Sequence, residues 1–303
     1  MLVLVALSGG PDSLALAAAT AFEAARAGIR AGAVIVDHDL QPGSADVAAN
    51  AARQATSLGL DPVLVKLVTV GTDGGPEAAA RTARYTALAG AAAETGATRI
   101  LLGHTLDDQA ESVLLGLARG SGAASLRGMA AEAGLYSRPL LGIRRSTTVQ
   151  FCLDSGLASW SDPHNDDPRF RRVRVRNTIL PTLESELGPG VAEALARTAE
   201  QLREDSEALD HFAEEVIEEL AEHAEAGISL PARALASNPA ALRQRIIRLA
   251  VLAEFGVSLS RSQTVEVARL VTDWHGQGGV DLPGITVERR NGLLVFGSTD
   301  AAS

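Results

Sequence analysis

Apolar and polar residues alternate along the first half of the chain in two rhythms. Short apolar runs at Leu2–Leu7, Ala33–Val36, Val63–Val68 and Ile100–Leu102 have the length of strands buried on both faces. Between and after them, apolar residues recur at helical spacing over Ser13–Ala27, Ser44–Leu58, Glu77–Thr95 and Asp107–Ala118. Strands separated by helices of this length predict an α/β fold: a parallel, doubly wound sheet covered on both faces. After Asp162 the rhythm changes. Gly188-Pro189-Gly190 breaks the chain and marks a boundary, so residues 1–187 and 191–303 are expected to form separate domains. Val191–Ala224 reads as one long, acidic, alanine-rich helix, and Ala240–Phe255 and Ser262–Trp274 as two more. Two apolar runs close the chain, around Val280–Val287 and Leu293–Phe296. The Asn291-Gly292 pair between them is a strong hairpin signal. The second domain is thus expected to be smaller, mainly helical, and to end in a β-hairpin.

Composition narrows the classes. With 303 residues and 46% apolar content, the chain can form two cored domains. The apolar start MLVLVAL lacks a charged flank and is too short to span a bilayer, so a cytoplasmic protein without a membrane segment is expected. The single cysteine, Cys152, excludes a disulfide framework, a multi-cysteine zinc site and cysteine-pair chemistry. A net charge of -10 argues against generic attraction to nucleic acid. The distribution matters more than the sum. Arg169, Arg171, Arg172, Arg174 and Arg176 fall within eight residues, a local positive field suited to a phosphate backbone. The same arginines could instead pair with Asp166 and Asp167, and RVRVR taken alone alternates like an edge strand. Arg119, Arg127, Arg138, Arg144 and Arg145 could extend the patch, and Arg243, Arg245 and Arg248 form a weaker second one.

The chemistry concentrates where the first strand meets the first helix, in Ser8-Gly9-Gly10-Pro11-Asp12-Ser13. A glycine turn entering a helix makes an anion site, because the first helical N–H groups lack intrahelical partners. Ser8 and Ser13 add hydroxyl donors. Asp12 would repel a bare phosphate, which makes sense if a divalent cation lies between them. The adjacent pair Asp107 and Asp108 opens another helix, and Asp108 with Asp12 across the sheet edge would complete a metal site. A plain turn capped by Asp12 or Ser13 would look much the same.

Later motifs decide between these readings. SGGxDS after an opening strand resembles the loop of the PP-loop ATP pyrophosphatases, which cleave ATP between its α- and β-phosphates and adenylate an acceptor. VDHDLQPGSADVA (36–48), PEAAARTARYTAL (76–88), GHTLDDQAESVLLGLARGSGAASLRGM (103–129), RPLLGIRR (138–145) and WSDPHNDDPRFRRVRVRNTILPTLE (160–184) resemble, in order, the motifs of the tRNA(Ile)-lysidine synthetases. Asp39 and Gln41 stand where glycine and arginine are usual, Ser112 for threonine, His164 for serine and Val173 for asparagine; Asp162, Asn165, Asp167, Phe170, Arg172, Arg176 and Pro181 match. The resemblance implies that Ser8, Gly9, Gly10, Pro11, Asp12 and Ser13 hold the pyrophosphate end of ATP. It implies Mg²⁺ on Asp12 and Asp108, and catalytic roles for Asp12, Arg81, His104, Asp107 and Asp108. The arginine run becomes a helix, and Arg119, Arg169, Arg172, Arg174 and Arg176 become tRNA contacts. Relative to longer members, the chain starts directly in its first strand and ends soon after Phe296, so the extra C-terminal domain of some members is not expected here.

The activity so implied is ATP-dependent ligation of L-lysine to the 2-position of the first anticodon cytidine of tRNA(Ile), whose anticodon is CAU. It passes through an adenylated base and releases AMP and pyrophosphate. Four alternatives remain. A sulfur-inserting tRNA enzyme needs catalytic cysteines, and an amidotransferase-linked synthetase needs an N-terminal one. An NAD-synthetase-like amide ligase leaves GHTLDDQAES and the arginine run unexplained. A non-catalytic nucleotide sensor would show no ATP–pyrophosphate exchange.

Overall fold

The structure is a computed structural model that describes residues 1–39, 43–71, 75–120, 122–162, 167–224 and 227–299. Gln41, His164, Asn165 and Asp166 lie outside the described residues. The chain divides into two compact units, Met1–Arg203 and Glu204–Ser303.

In the first unit the expected alternation is realised as β1 (Leu2–Ala6), α1 (Pro11–Ala27), β2 (Arg30–Asp37), α2 (Ser44–Ser57), β3 (Val63–Leu67), α3 (Pro76–Thr95), β4 (Arg99–Leu102) and α4 (Leu106–Arg119). A short α5 (Ala123–Leu126), the ribbon β5 (Glu132–Ala133) and β6 (Tyr136–Ser137), and α6 (Arg145–Asp154) follow. The sheet order is β3-β2-β1-β4-β6-β5, parallel except for β5. One face buries Val3, Val5, Ile35, Leu14 and Ala51 with Cys152; the other buries Leu4, Val34 and Ile100 under Leu88, Ala91 and Ala92. From β1 the chain winds outward through β2 and β3, then returns to place β4 on the other side of β1. The switch point therefore lies between the carboxyl ends of β1 and β4, the edge where open α/β sheets bind ligands.

The arginine run is helical: α7 (Arg171–Arg174), a π turn (Val175–Ile179) and α8 (Leu180–Leu187). Pro181 has no N–H to donate to residue 177, and the wide turn, with Leu180 N donating to Val175 O, takes up the mismatch. Val173 and Val175 are buried, so burial of the valines overrides the strand-like alternation; Val175 packs with Leu106, Ala110, Leu180 and Ala192.

Gly188-Pro189-Gly190 is the turn into α9 (Val191–Leu220), and the units divide further on, inside that helix. The start of α9 belongs with the first unit because Ala192, Leu195 and Ala196 pack against α4 and α8. Glu184 accepts from Ala192 N (3.2 Å), from Arg144 Nη2 (3.0 Å) and from Gly190 N (2.7 Å), and these donors, Ala192 and Arg144 foremost, pull its carboxyl down to about 2.

The second unit holds β7 (Glu222–Ala224), β8 (Gly227–Pro231), α10 (Ala232–Ser237), α11 (Ala240–Phe255), α12 (Arg261–Thr272), β9 (Val280–Leu282), β10 (Ile285–Arg290) and β11 (Leu293–Ser298). The expected hairpin is β10–β11, with Asn291 and Gly292 at φ 49° and 81° as an Asn-Gly hairpin turn requires. It is the middle of a larger element than expected, an antiparallel sheet of order β7-β8-β11-β10-β9. Ile246, Ile247, Leu270, Leu294 and Phe296 form its core with α11 and α12.

Candidate active site

The loop from β1 to α1 is braced from within. Gly9 sits at φ 84°, the left-handed region that glycine tolerates. Pro11 occupies the first helical position, where its missing N–H would have no intrahelical partner, while the amides of Asp12 and Ser13 remain available. Ser13 Oγ donates to Gly10 O (3.0 Å) and accepts from Ser8 N (3.2 Å). Trp160 N donates to Gly9 O (2.9 Å), which ties a second loop over the first. At the end of β4, a Cβ on Gly103 would lie 3.0 Å from Ser13 Cα and N, so a larger residue would press against the backbone at the start of α1.

This loop lines a cavity of about 830 Å³, within the range of small-molecule sites. Ser8, Gly10, Pro11, Asp12, Ser13, Arg81, His104, Asp108, Arg172 and Arg176 all border it, as do His38, Arg84, Tyr85, Arg145 and Trp160. Asp39, where glycine is usual, adopts φ 50°, which accounts for the usual glycine.

A compact charge network forms the floor. Arg145 Nε donates to Asp12 Oδ2 (3.1 Å), its Nη2 to Asp108 Oδ1 (2.8 Å) and its Nη1 to Glu111 Oε1 (3.3 Å). Thr148 Oγ1 donates to the other oxygen of Asp12. Glu111 is fully buried and also meets Arg176 (Nε 2.7 Å, Nη2 3.1 Å) and Arg172 Nε (3.0 Å). Three guanidinium groups thus face three carboxylates. Asp108 Oδ2 is occupied as the cap of α4, accepting from Thr105 N (2.9 Å) and Thr105 Oγ1 (3.0 Å). Burial works against the Asp108 carboxylate, but Arg145 and the Thr105 N–H hold its pKa below the ordinary value. In place of the expected metal pair, Asp12 and Asp108 are bridged by Arg145. Among the described residues no group of three or more His, Cys, Asp or Glu is arranged to hold a metal ion. As they stand, these carboxylates do not fit a divalent ion.

Other expected residues fall elsewhere. Asp107 turns away from the cavity: its oxygens accept from Arg145 N (2.7 Å) at the start of α6 and from Arg144 Nη1 (3.1 Å). Arg144 also grips Glu184 and Glu193, so it ties four helices together. Arg138 is buried and donates to Ala130 O (2.8 Å). The arginine run is split by its helical period. Arg172 and Arg176, four apart, both reach inward to Glu111, while Arg169, Arg171 and Arg174 are exposed. Arg169 pairs with Asp167, and Arg174 braces Pro168 O (2.6 Å). Arg119 is exposed at the end of α4. In the second unit, Arg245 is held by Asp210 (2.7 Å) and Ser206 O (2.7 Å), and Arg243 by carbonyls at the end of α10, which leaves Arg248 as the candidate there. Glu111 is the important residue that spacing did not single out, and Arg145, read only as an extension of the basic patch, instead turns inward to three carboxylates. Glu111 lies one helical turn after Asp108, which was the available signal.

Arg81 stacks on Tyr85, with its guanidinium carbon 4.8 Å from the ring centroid, and Arg84 is buried enough to lower its pKa. His104 Nδ1 is buried without a partner among the described residues. Burial, reinforced by Arg138, Arg84 and Arg172 against the pull of Asp108, lowers its pKa from 6.5 to about 4. Its imidazole is neutral at pH 7. The unfolded chain takes up that proton below about 6.5 and the folded one only near 4, so stability falls as pH drops through this window. His104→Asn is expected to flatten that part of the stability–pH curve, as followed by thermal unfolding. An unchanged slope would show that other groups set it.

A PP-loop domain model matches residues 1–183, and a TilS substrate binding domain model matches residues 230–295. The tRNA(Ile)-lysidine synthase of Leifsonia xyli subsp. xyli is 67% identical over 296 residues, covering 97% of this chain and 89% of that protein. The enzyme of the same name from Thermobifida fusca is 52% identical over 301 residues, covering 99% and 92%. Among solved structures, the U34-tRNA thiolase NcsA of Methanococcus maripaludis superposes with a TM-score of 0.55 at 22% identity, covering 67% of this chain and 73% of that one. That likeness is one of fold. The thiolase carries a [4Fe-4S] cluster, whereas this chain has one cysteine, which is buried with its thiol pKa raised by burial.

Proposed function

The chain belongs to the tRNA(Ile)-lysidine synthases, and from that membership and the cavity we infer how it uses ATP to ligate L-lysine to the first anticodon cytidine of tRNA(Ile). The carrying observation is the braced Ser8–Ser13 loop at the switch point, facing a nucleotide-sized cavity rimmed by arginines. The amides of Asp12 and Ser13 at the start of α1 receive the pyrophosphate end of ATP. Arg81 and Arg84, with no carboxylate partner described for either, neutralise the phosphate charge that grows as the α–β bond breaks. The cytidine comes from a single-stranded loop, so it can be splayed into the cavity at little cost. Its 2-carbonyl oxygen attacks the α-phosphorus, and the neutral ε-amine of lysine then displaces AMP at C2. Phosphate charge beside His104 raises its proton affinity, so it can accept the lysine proton only in the loaded site.

Arg119, Arg169, Arg171 and Arg174 face outward and are the tRNA-facing cations of the first unit. Selection among tRNAs falls to the second unit, which carries the substrate-binding match. The protein works in the cytoplasm; no described helix is long and apolar enough to cross a membrane. Mass analysis of the anticodon after incubation with ATP and lysine tests the activity. An unmodified cytidine with active protein and the correct tRNA would refute it.

Replacing Arg169, Arg171 and Arg174 together is expected to weaken tRNA binding and leave ATP binding intact. The slope of log affinity against log salt should fall by about 0.7–0.9 for each arginine–phosphate pair removed. An unchanged slope would make the outer arginines purely structural.

A further inference from the structure

Resting on the reading of tRNA as substrate, we propose that Trp274 in the second unit is a stacking platform for an unpaired base of that RNA, with Arg289 as the cation that backs it.

The platform is built where β10 meets the end of α12. β10 buries Ile285 and Val287 on its inner face, and Arg289 follows two residues on, on the same face at its rim. There Arg289 Nη1 donates to Leu270 O (3.1 Å) and Val271 O (3.4 Å), carbonyls of the last helical turn that lack intrahelical donors. The guanidinium is thus anchored by the helix end, with no carboxylate partner described for it. Trp274, just past the end of α12, lays its ring over that guanidinium, whose carbon lies 5.2 Å from the ring centroid. The residue remains 39% exposed, so much of the ring is left to solvent. The loop that carries it is fixed on either side. Gln277 Oε1 accepts from His275 N (2.8 Å) and Gln277 Nε2 donates to Asp273 O (3.3 Å). Gly276 and Gly278 have open space where a side chain would stand, so a flat group can approach.

The surroundings favour a nucleobase over a protein face. Phe212 and Leu252, the other large apolar side chains exposed in this unit among the described residues, sit on helices α9 and α11. Trp274 stands instead between the exposed polar residues Asp273 and His275, with Arg269 exposed on the last turn of α12. A protein interface wants contiguous apolar surface. A single fixed ring with a cation behind it suits an unpaired base, which stacks through a π-face that every base has. A tRNA presents such bases in its single-stranded loops. Trp274 and Arg289 both fall inside the substrate-binding match at residues 230–295. Asp273 offsets part of the local positive charge, so stacking rather than phosphate attraction is the contribution to expect here.

The affinity of the full-length protein for a tRNA(Ile) transcript, measured at several salt concentrations, tests this. Trp274→Ala should bind about 5- to 100-fold more weakly, the range for loss of one base–aromatic stack. The slope of log affinity against log salt should stay at the parent value, because no phosphate contact is lost. Trp274→Phe keeps a stacking ring and should bind nearly as well as the parent. In lysidine formation the alanine variant should show a raised KM for tRNA, with kcat kept at saturating tRNA and KM for ATP unchanged. The tRNA should also quench a component of the parent's tryptophan emission that Trp274→Phe lacks, Trp160 being its remaining tryptophan. Equal tRNA affinity of the parent and a folded Trp274→Ala would overturn the proposal. So would a phenylalanine variant as weak as the alanine one, or a loss that comes with a reduced salt slope. If the alanine variant does not fold, the emission decides: identical quenching in the parent and Trp274→Phe rules out a base on this ring. A parent that does not bind tRNA(Ile) at all sinks the tRNA reading itself, which separates the two failures.

Discussion

Glu111→Leu is expected to destabilise the first unit by about 3–5 kcal/mol, the cost of removing one partner from a buried ion network. Glu111 has no exposed side-chain surface and receives Arg145, Arg172 and Arg176 together. Without it the three guanidinium groups face each other with only Asp12 and Asp108 to offset them. Leucine fills a similar volume, so the loss would report charge rather than a cavity. Glu111→Gln keeps the shape and some hydrogen bonds, and should fall between. Thermal and urea unfolding of the full chain measure the difference. A shift under about 1 kcal/mol would mean that water already screens the cluster, as it does for surface pairs.

Much of this was legible in the sequence, for physical reasons that can be stated. Buried parallel strands are apolar on both faces, so β1 to β4 stand out as continuous runs, and their helices as amphipathic ones. SGGPDS alone could have been a plain capped turn; its place after the first strand and the ordered motifs that follow it made the PP-loop domain legible. The Asn291-Gly292 hairpin follows from a turn that demands positive φ twice. What was not legible depends on long-range geometry. Arg145 lies far along the chain from Asp12, and nothing local distinguishes it from a solvated arginine. Arg172 and Arg176 read as part of one basic patch until the helix turns them inward. Short strands such as β7 and β9 carry too few residues to show a period, and sheet pairing rather than propensity forms them.

Asp12→Ala is expected to lower ATP–pyrophosphate exchange by at least about 10²–10³-fold, the size of effect seen when one preorganised electrostatic group is removed from a transition state. The fold should survive. Arg145 retains Asp108 and Glu111, Thr148 retains its bond to Arg145 O (2.8 Å), and α1 keeps its core through Leu14 and Leu16. What disappears is the one acid in the Ser8–Ser13 loop, the shared acceptor of Arg145 and Thr148. Asp12→Asn separates charge from shape: it can still accept from Thr148, but it no longer holds a cation. If the charge matters, the asparagine variant should be nearly as impaired as the alanine one. Recovery of most of the exchange rate in Asp12→Asn would assign Asp12 to positioning through hydrogen bonds alone. Normal pyrophosphate release from Asp12→Ala would remove the loop acid from the reaction altogether and leave the amides and arginines as its whole apparatus.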